Sequence, residues 1–390
     1  MAEIKPEIET FAKIKVVGVG GSGGAAINRM VQSRIKGVDF LAINTDVQAL
    51  HHSQANTKLH IGKMTTRGLG AGMNPEVGNK AAEESQSEIR DLLKGADMVF
   101  ITCGLGGGTG TGAAPVIANM AKEAGALTVA VVTKPFSFEG AQRRDIAERG
   151  YNSLKDKVDA IVTIPNDRLL QIIDKKTSLL EAFKICDEIL KQGVQGIAEI
   201  ITMPGLINVD FADVKTIMQE TGSALMGIGQ GSGENRATQA AKAAISSPLL
   251  ELSIDGAKGI LFTVVGGADL GMYEVNEAAK IITQSADPGA KIIFGAVIDE
   301  NMKDEIKITV IATGFSGRET RSNANMAESV ATKESAYTPS EFIEAKNRRS
   351  EEEITRLPRK IVKKVFAKEV DKTPEEEELD IPAFIRKKMK

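Results

Sequence analysis

The chain has no tryptophan and only three tyrosines among its 390 residues. It has two cysteines, Cys103 and Cys186, and three histidines, His51, His52 and His60. Two cysteines exclude a disulfide-stapled scaffold and suit a reducing compartment. The histidines share one polar stretch with no cysteine near them, which reads as a solvated loop and not as a zinc site. No apolar run approaches the roughly 18 residues of a transmembrane helix. Met1–Lys15 is charged and has no signal-peptide core. Basic excess is missing too. Lys+Arg 49 against Asp+Glu 52 leaves a net charge of −3, which argues against nucleic acid as a partner. These absences predict a cytoplasmic protein that neither enters a membrane nor binds nucleic acid.

Glycine is very unevenly placed. The last of the 38 is Gly317, and residues 318–390 contain none. Upstream they bunch at Gly18, Gly20, Gly21, Gly23 and Gly24, and again at Gly104, Gly106, Gly107, Gly108, Gly110 and Gly112. Clusters without a period exclude collagen and a Gly-rich linker. They point to backbone that must approach something closely.

Short β-branched runs occur at Ile14–Val19, Phe40–Ile43, Met98–Thr102, Leu127–Val132 and Ile161–Ile164, separated by longer polar–apolar stretches. This alternation predicts an α/β fold with a buried parallel sheet. Each glycine cluster follows a strand and precedes a helix-like run, Ala25–Ile35 or Ala113–Ala124. Both therefore belong on the rim where the strands end, which is where such sheets bind ligands. Leu179, Phe183, Cys186, Leu190, Val194, Ile197 and Ile201 recur every three or four residues. They predict a long central helix ended by Pro204-Gly205. Strand candidates at Gly259–Val265, Lys291–Ile298 and Ile306–Thr313 predict a second, smaller α/β domain. From Arg318 onward 32 of 73 residues are charged, a composition that cannot bury enough apolar surface to order itself. At its end Leu379, Ile381, Pro382, Ala383, Phe384 and Ile385 form an apolar knot that reads as a partner-docking peptide. The expected organisation is a flexible N-terminus at 1–11, a Rossmann-like domain at 12–178, a central helix at 179–205, a second domain at 206–316, a disordered linker at 317–375 and a docking peptide at 376–390.

Gly18-Val19-Gly20-Gly21-Ser22-Gly23 satisfies G-x-G-x-x-G between a strand and a helix, where backbone N–H groups hold phosphate. Alone it permits a dinucleotide-binding oxidoreductase, with Asp39 or Asp46 as the ribose-binding acid. The second cluster, Gly106–Gly112, offers a nest of N–H donors with Thr109 and Thr111 adding hydroxyls. Two phosphate loops on one rim suggest a polyphosphate cradled from both sides. The usual lysine is missing: the only Gly-Lys pair, Gly62-Lys63, has Thr57 where a P-loop begins and Met64 where it needs Ser or Thr. No guanine-reading Asn-Lys-x-Asp is present. A phosphate site here relies on glycine backbone and bound Mg²⁺.

The run GGGTGTG at 106–112 resembles the signature loop of the tubulin/FtsZ family. Further stretches resemble its bacterial FtsZ branch: GVGGSGG at 18–24, INTD at 43–46, GLGAG at 68–72, VVTKPFSFEG at 131–140, TIPND at 163–167, NVDFAD at 208–213, ISSPLLE at 245–251 and LDIPAFIR at 379–386. The resemblance implies a self-assembling GTPase that binds GTP or GDP, with Mg²⁺ held through the phosphates and no metal-ligating side chain. It implies that Gly20, Gly21, Ser22, Gly23, Gly24 and Ala25, with Asn44, Gly70, Ala71 and Gly72, and Gly104, Gly107, Gly108, Thr109 and Gly110, wrap the phosphates. Pro135, Glu139 and Arg143 would lie on the ribose side, and Asn166, Phe183 and Asp187 would hold guanine. Phe183 and Asp187 share a helix face at i,i+4, and a carboxylate can accept from the N1–H and N2–H of guanine. Many family members have Asn where this chain has Ala25, so one side-chain hydrogen bond to the nucleotide is lost. Asn208, Asp210 and Asp213 would act on the GTP of a neighbouring copy in a head-to-tail filament of the division ring at mid-cell. The final peptide, Leu379, Asp380, Ile381, Pro382, Phe384, Ile385 and Arg386, would bind membrane-tethering division adaptors and regulators.

Overall fold

The computed structural model describes residues 12–170, 173, 176–202, 205–207, 209–247, 254–299 and 302–315. The expectations for the N-terminal segment, Asn208, the linker and the C-terminal peptide lie outside the described residues.

The strands are β1 (Ile14–Val19), β2 (Val38–Asn44), β3 (Thr57–His60), β4 (Met98–Gly104), β5 (Leu127–Lys134), β6 (Ala160–Pro165), β7 (Gly222–Ser232), β8 (Gly259–Gly266), β9 (Lys291–Ile298) and β10 (Glu305–Thr313). They form one sheet in the order β3-β2-β1-β4-β5-β6-β7-β10-β8-β9. From β3 to β6 every pairing is parallel. β7 is the joint. Gly222–Ala224 pair parallel with Ala160–Val162, and the rest of the strand pairs antiparallel with β10. β10 is antiparallel to β8, and β8 is parallel to β9.

The parallel part is covered on both faces, and successive residues of one strand serve opposite cores. Val16 packs with the first helix (Gly20–Gln32) and the central helix (Leu179–Thr202), while Val17 packs with the helix at Thr109–Glu123. After β1 the chain moves outward to β2 on one side, then returns to place β4 on the other. That reversal leaves a crevice at the ends of β1 and β4, and both glycine clusters sit there.

Two expectations need correction. The helices after the clusters begin earlier than their apolar residues suggest, at Gly20 and not Ala25, and at Thr109 and not Ala113. Glycine disfavours a helix by about 1 kcal/mol per residue, but here the missing side chains let backbones meet. A Cβ on Gly23 would overlap the Thr102 carbonyl oxygen, and one on Gly112 would overlap that of Pro75. The histidine stretch is not all loop: His51 ends a short helix and His60 lies on β3.

Candidate functional site

The crevice opens into a cavity of about 670 Å³. Its floor is made by the starts of two helices, each set by a strand of the sheet. The first N–H groups of a helix have no partner within it and carry partial positive charge. Two such ends converging on one cavity make an anion site without any lysine.

The glycines of the two clusters fall into two kinds. Gly20, at φ +74°, sits against the Gly110 N–H, with a built Cβ 2.9 Å from that nitrogen. Gly18, Gly23 and Gly112 are likewise fixed by packing. Gly21 and Gly107 differ. Both line the cavity, neither has positive φ, and a Cβ on either would meet nothing within 4 Å. The fold does not need glycine at these two positions. Bare backbone there leaves room for close approach of a ligand.

Most of the expected residues line this one cavity: Gly21, Ser22 and Ala25; Asn44; Gly70, Ala71 and Gly72; Gly104, Gly107, Gly108, Thr109 and Gly110; Pro135, Glu139 and Arg143; and Asn166, Phe183 and Asp187. Gly20 and Gly23 are not in its wall, and Gly24 lines a small annex of about 140 Å³ beside Ala25. Thr111 does not face the cavity as a donor. Its hydroxyl accepts from the Gly106 N–H at 3.0 Å and braces the loop from within. Asp39 is exposed and outside the wall, which removes it as a ribose-binding acid, whereas Asp46 does line the cavity.

Several contacts hold the wall in shape. Thr109 and Thr45 share a buried hydroxyl–hydroxyl hydrogen bond of 2.6 Å. The Thr45 carbonyl accepts from the Gly70 N–H and from the Thr66 hydroxyl, which ties the Gly70–Gly72 loop to β2. Arg143 donates to Glu139 at 2.6 Å, and Glu139 also accepts from the Phe136 N–H. Phe183 meets Phe136 edge-on at 5.8 Å and remains 40% exposed, so part of its ring is free for a planar ligand. Nearby, the Asn166 side-chain oxygen is buried without a hydrogen-bond partner, a vacancy that a bound donor would fill.

Charge at the far end is carried by Asp187. Burial pushes its carboxyl up to about 6, and the Arg29 guanidinium, 3.8 Å away, opposes that rise. Cys186 beside it also lines the cavity, and burial pushes its thiol up to about 12. Cys103, behind the loop, is raised to about 12 by the same cause. Sequence reasoning placed Cys186 on the central helix's apolar face and missed its place in the wall. The signal was its spacing of three from Phe183. Met73, Leu105 and Thr133 were missed as well, and nothing in their type marked them.

Asp210 and Asp213 are not in this wall. Asp210 is the N-cap of the helix Phe211–Met218 and accepts from the Asp213 N–H at 2.7 Å. Among the described residues no helix is long and apolar enough to cross a membrane.

The chain matches the Tubulin/FtsZ family, GTPase domain over residues 13–174 and the FtsZ family, C-terminal domain over 222–316. It is 49% identical to FtsZ of M. jannaschii, solved as an empty dimer, with a TM-score of 0.76 over 80% of this chain and 90% of that one. CetZ1 of Haloferax volcanii, a GDP-bound monomer, is similar in fold at 20% identity and a TM-score of 0.69, over 81% and 99% of the two chains. CetZ2 of the same organism, a GTPγS-bound protofilament, gives 22% and 0.66, over 83% and 100%. With both family domains in this order, and half its residues shared with an FtsZ over four fifths of its length, the chain belongs to the FtsZ family of tubulin-like GTPases.

Proposed function

We propose that copies of this chain assemble head to tail into a cytoskeletal filament, and that GTP is hydrolysed where two copies meet. One observation carries the reading. The cavity has the features of a nucleotide pocket, yet Asp210 and Asp213 stand elsewhere on the same chain. A second copy would bring them to the open mouth. A contact between unlike surfaces that does not close on itself extends into a filament. The dimeric FtsZ and the CetZ2 protofilament, both relatives, support the same reading.

Within the pocket, the Gly20–Ala25 and Gly104–Gly110 segments and the Gly70–Gly72 loop would hold the phosphates, with Asn44 bracing. Pro135, Glu139 and Arg143 would flank the ribose. Asn166, Phe183 and Asp187 would take guanine, Asp187 accepting from its N1–H and N2–H. Adenine lacks that pair of donors. Asp210, Asp213 and Asn208 of the neighbour would orient the attacking water, since phosphoryl transfer is mostly positioning and charge stabilisation. Among the described residues no three candidate side chains gather as a metal site. Asp46 is a carboxylate of the wall, with one oxygen occupied by the Gln48 and Ala49 N–H groups. This donor set fits Mg²⁺ held chiefly by phosphate oxygens and water, where it would neutralise charge on the phosphates.

The filament would belong to the division ring at mid-cell, with 317–375 as tether and Leu379–Arg386 as the peptide that meets membrane-bound adaptors. A coil of about 60 residues has a reach of roughly 40–45 Å. An oxidoreductase reading accounts only for Gly18–Gly23 and leaves the second cluster unused. The deciding experiment follows phosphate release against protein concentration. Turnover per subunit should rise above a threshold at which polymer also pellets; a rate independent of concentration would sink the shared site.

A further inference from the structure

Asp187 is the only carboxylate proposed to read guanine, and it sits in an awkward place. Its side chain is 18% exposed, which disfavours the charged form that guanine requires. Among the described residues one cation reaches it. Arg29, in the last turn of the first helix, brings Nη2 to 3.8 Å from Asp187 Oδ2. Arg29 is itself 28% exposed, and its Nε is buried with no hydrogen-bond partner. A guanidinium held partly out of water, with a donor unspent, serves something other than its own solvation. Arg29 is not among the residues lining the cavity, so its reach to a bound base runs through the carboxylate.

We propose that Arg29 is a positioning residue that holds Asp187 ionised and oriented for guanine, and so sets the pH range over which the protein selects guanine nucleotides. This rests on the reading of the cavity as a GTP site.

The other charges around Asp187 do not replace Arg29. From the turn after β5 and the helix that follows, Glu139 and Arg143 face the cavity but are paired with each other. From the helix after β6, Asp167 accepts from Ser137, and Arg168 lies beyond the cavity wall. On the central helix itself, Lys191 is paired with Glu188, and Lys184 lies three residues before Asp187. Burial raises Asp187 and Arg29 alone lowers it, for a net value of about 6. The sign follows. Guanine binds the carboxylate, so affinity is full above about pH 6 and falls as pH drops through it. Removing Arg29 moves that fall to higher pH.

The test measures GDP affinity by calorimetry from pH 5.5 to 9, below the assembly threshold, for the full chain and for Arg29→Gln and Arg29→Lys. In the unaltered protein affinity should fall below about pH 6. Arg29→Gln, displaced by about one pK unit, should lose about twofold at pH 7 and about eightfold at pH 5.5, and recover at pH 9. Arg29→Lys should restore most of the loss at pH 7. A loss of equal size at every pH, or a lysine variant as weak as the glutamine one, would overturn the proposal. A protein that binds no GDP at any pH even before substitution would instead overturn the GTP site itself.

Discussion

Many separated stretches of chain converge on the cavity, most of them at the end of a strand or the start of a helix. The Asp210–Asp213 turn is built by one segment alone, with one acid capping the helix that carries the other. The cavity is concave and combines glycine backbone with side chains held by packing. The turn presents two carboxylates, with Asp210 exposed and Asp213 half-buried. On the proposed reading, binding and hydrolysis are separated within one chain. A surface that binds tightly needs many fixed partners, whereas one that positions water needs only two well-placed oxygens.

That separation can be broken at either side. The largest effect is expected at the turn. Asp213→Ala should keep GTP affinity within about twofold and lower turnover by about 100-fold, the scale of a misplaced reacting group; normal phosphate release in that variant would remove Asp213 from the chemistry. Next comes the wall. Gly107→Val, which meets open space in the fold, should weaken nucleotide binding about tenfold, or ~1.4 kcal/mol, with an unchanged melting temperature. Gly112→Ala should do the reverse, costing about 1–3 kcal/mol of stability through overpacking against Pro75. Calorimetry and thermal melts on the pair distinguish ligand glycines from packing glycines.

Asp187 sharpens the comparison through stability. Its folded value, about 6, lies above the roughly 3.9 of an unfolded aspartate. Its contribution is therefore full below about pH 4 and lost as pH rises through about 6. At pH 8, without nucleotide, Asp187→Asn should melt some 2–4 °C higher and bind GTP more weakly. A lower melting point would show that the carboxylate stabilises the empty protein. The smallest effect is Asp210→Ala as a cap, about 1 kcal/mol of stability, read from denaturant midpoints.

Much of this was legible before any coordinates. β1, β4, β5 and β8 begin where β-branched runs begin, because strands buried on both faces leave unbroken apolar sequence. The glycine loops of the cavity were legible as clusters between strand and helix, and its other residues through the family resemblance of the motifs. Two strands escaped. β3 is four residues, Thr57–His60, at an edge with few apolar positions to signal it. β7 carries Gly222, Gly227, Gly229 and Gly231, and glycine at such density reads as a loop. Helix starts were placed late for the same reason, because propensity describes an isolated segment and not one whose backbone is pressed against a neighbour.

β7 has one more consequence, for how this sequence can change. A Cβ at Gly227 would overlap the Ala244 carbonyl oxygen, one at Gly229 that of Ala240, and one at Gly231 that of Arg236. Each obstacle is backbone of the helix Arg236–Ile245, so no rotamer can yield. Any single coding change at these alternate positions must lift the helix off the strand, and a compensating change in the helix cannot help, because the obstruction is not a side chain. The strand that joins the parallel and mixed parts of the sheet is thus a place where mutation has almost no viable neighbours.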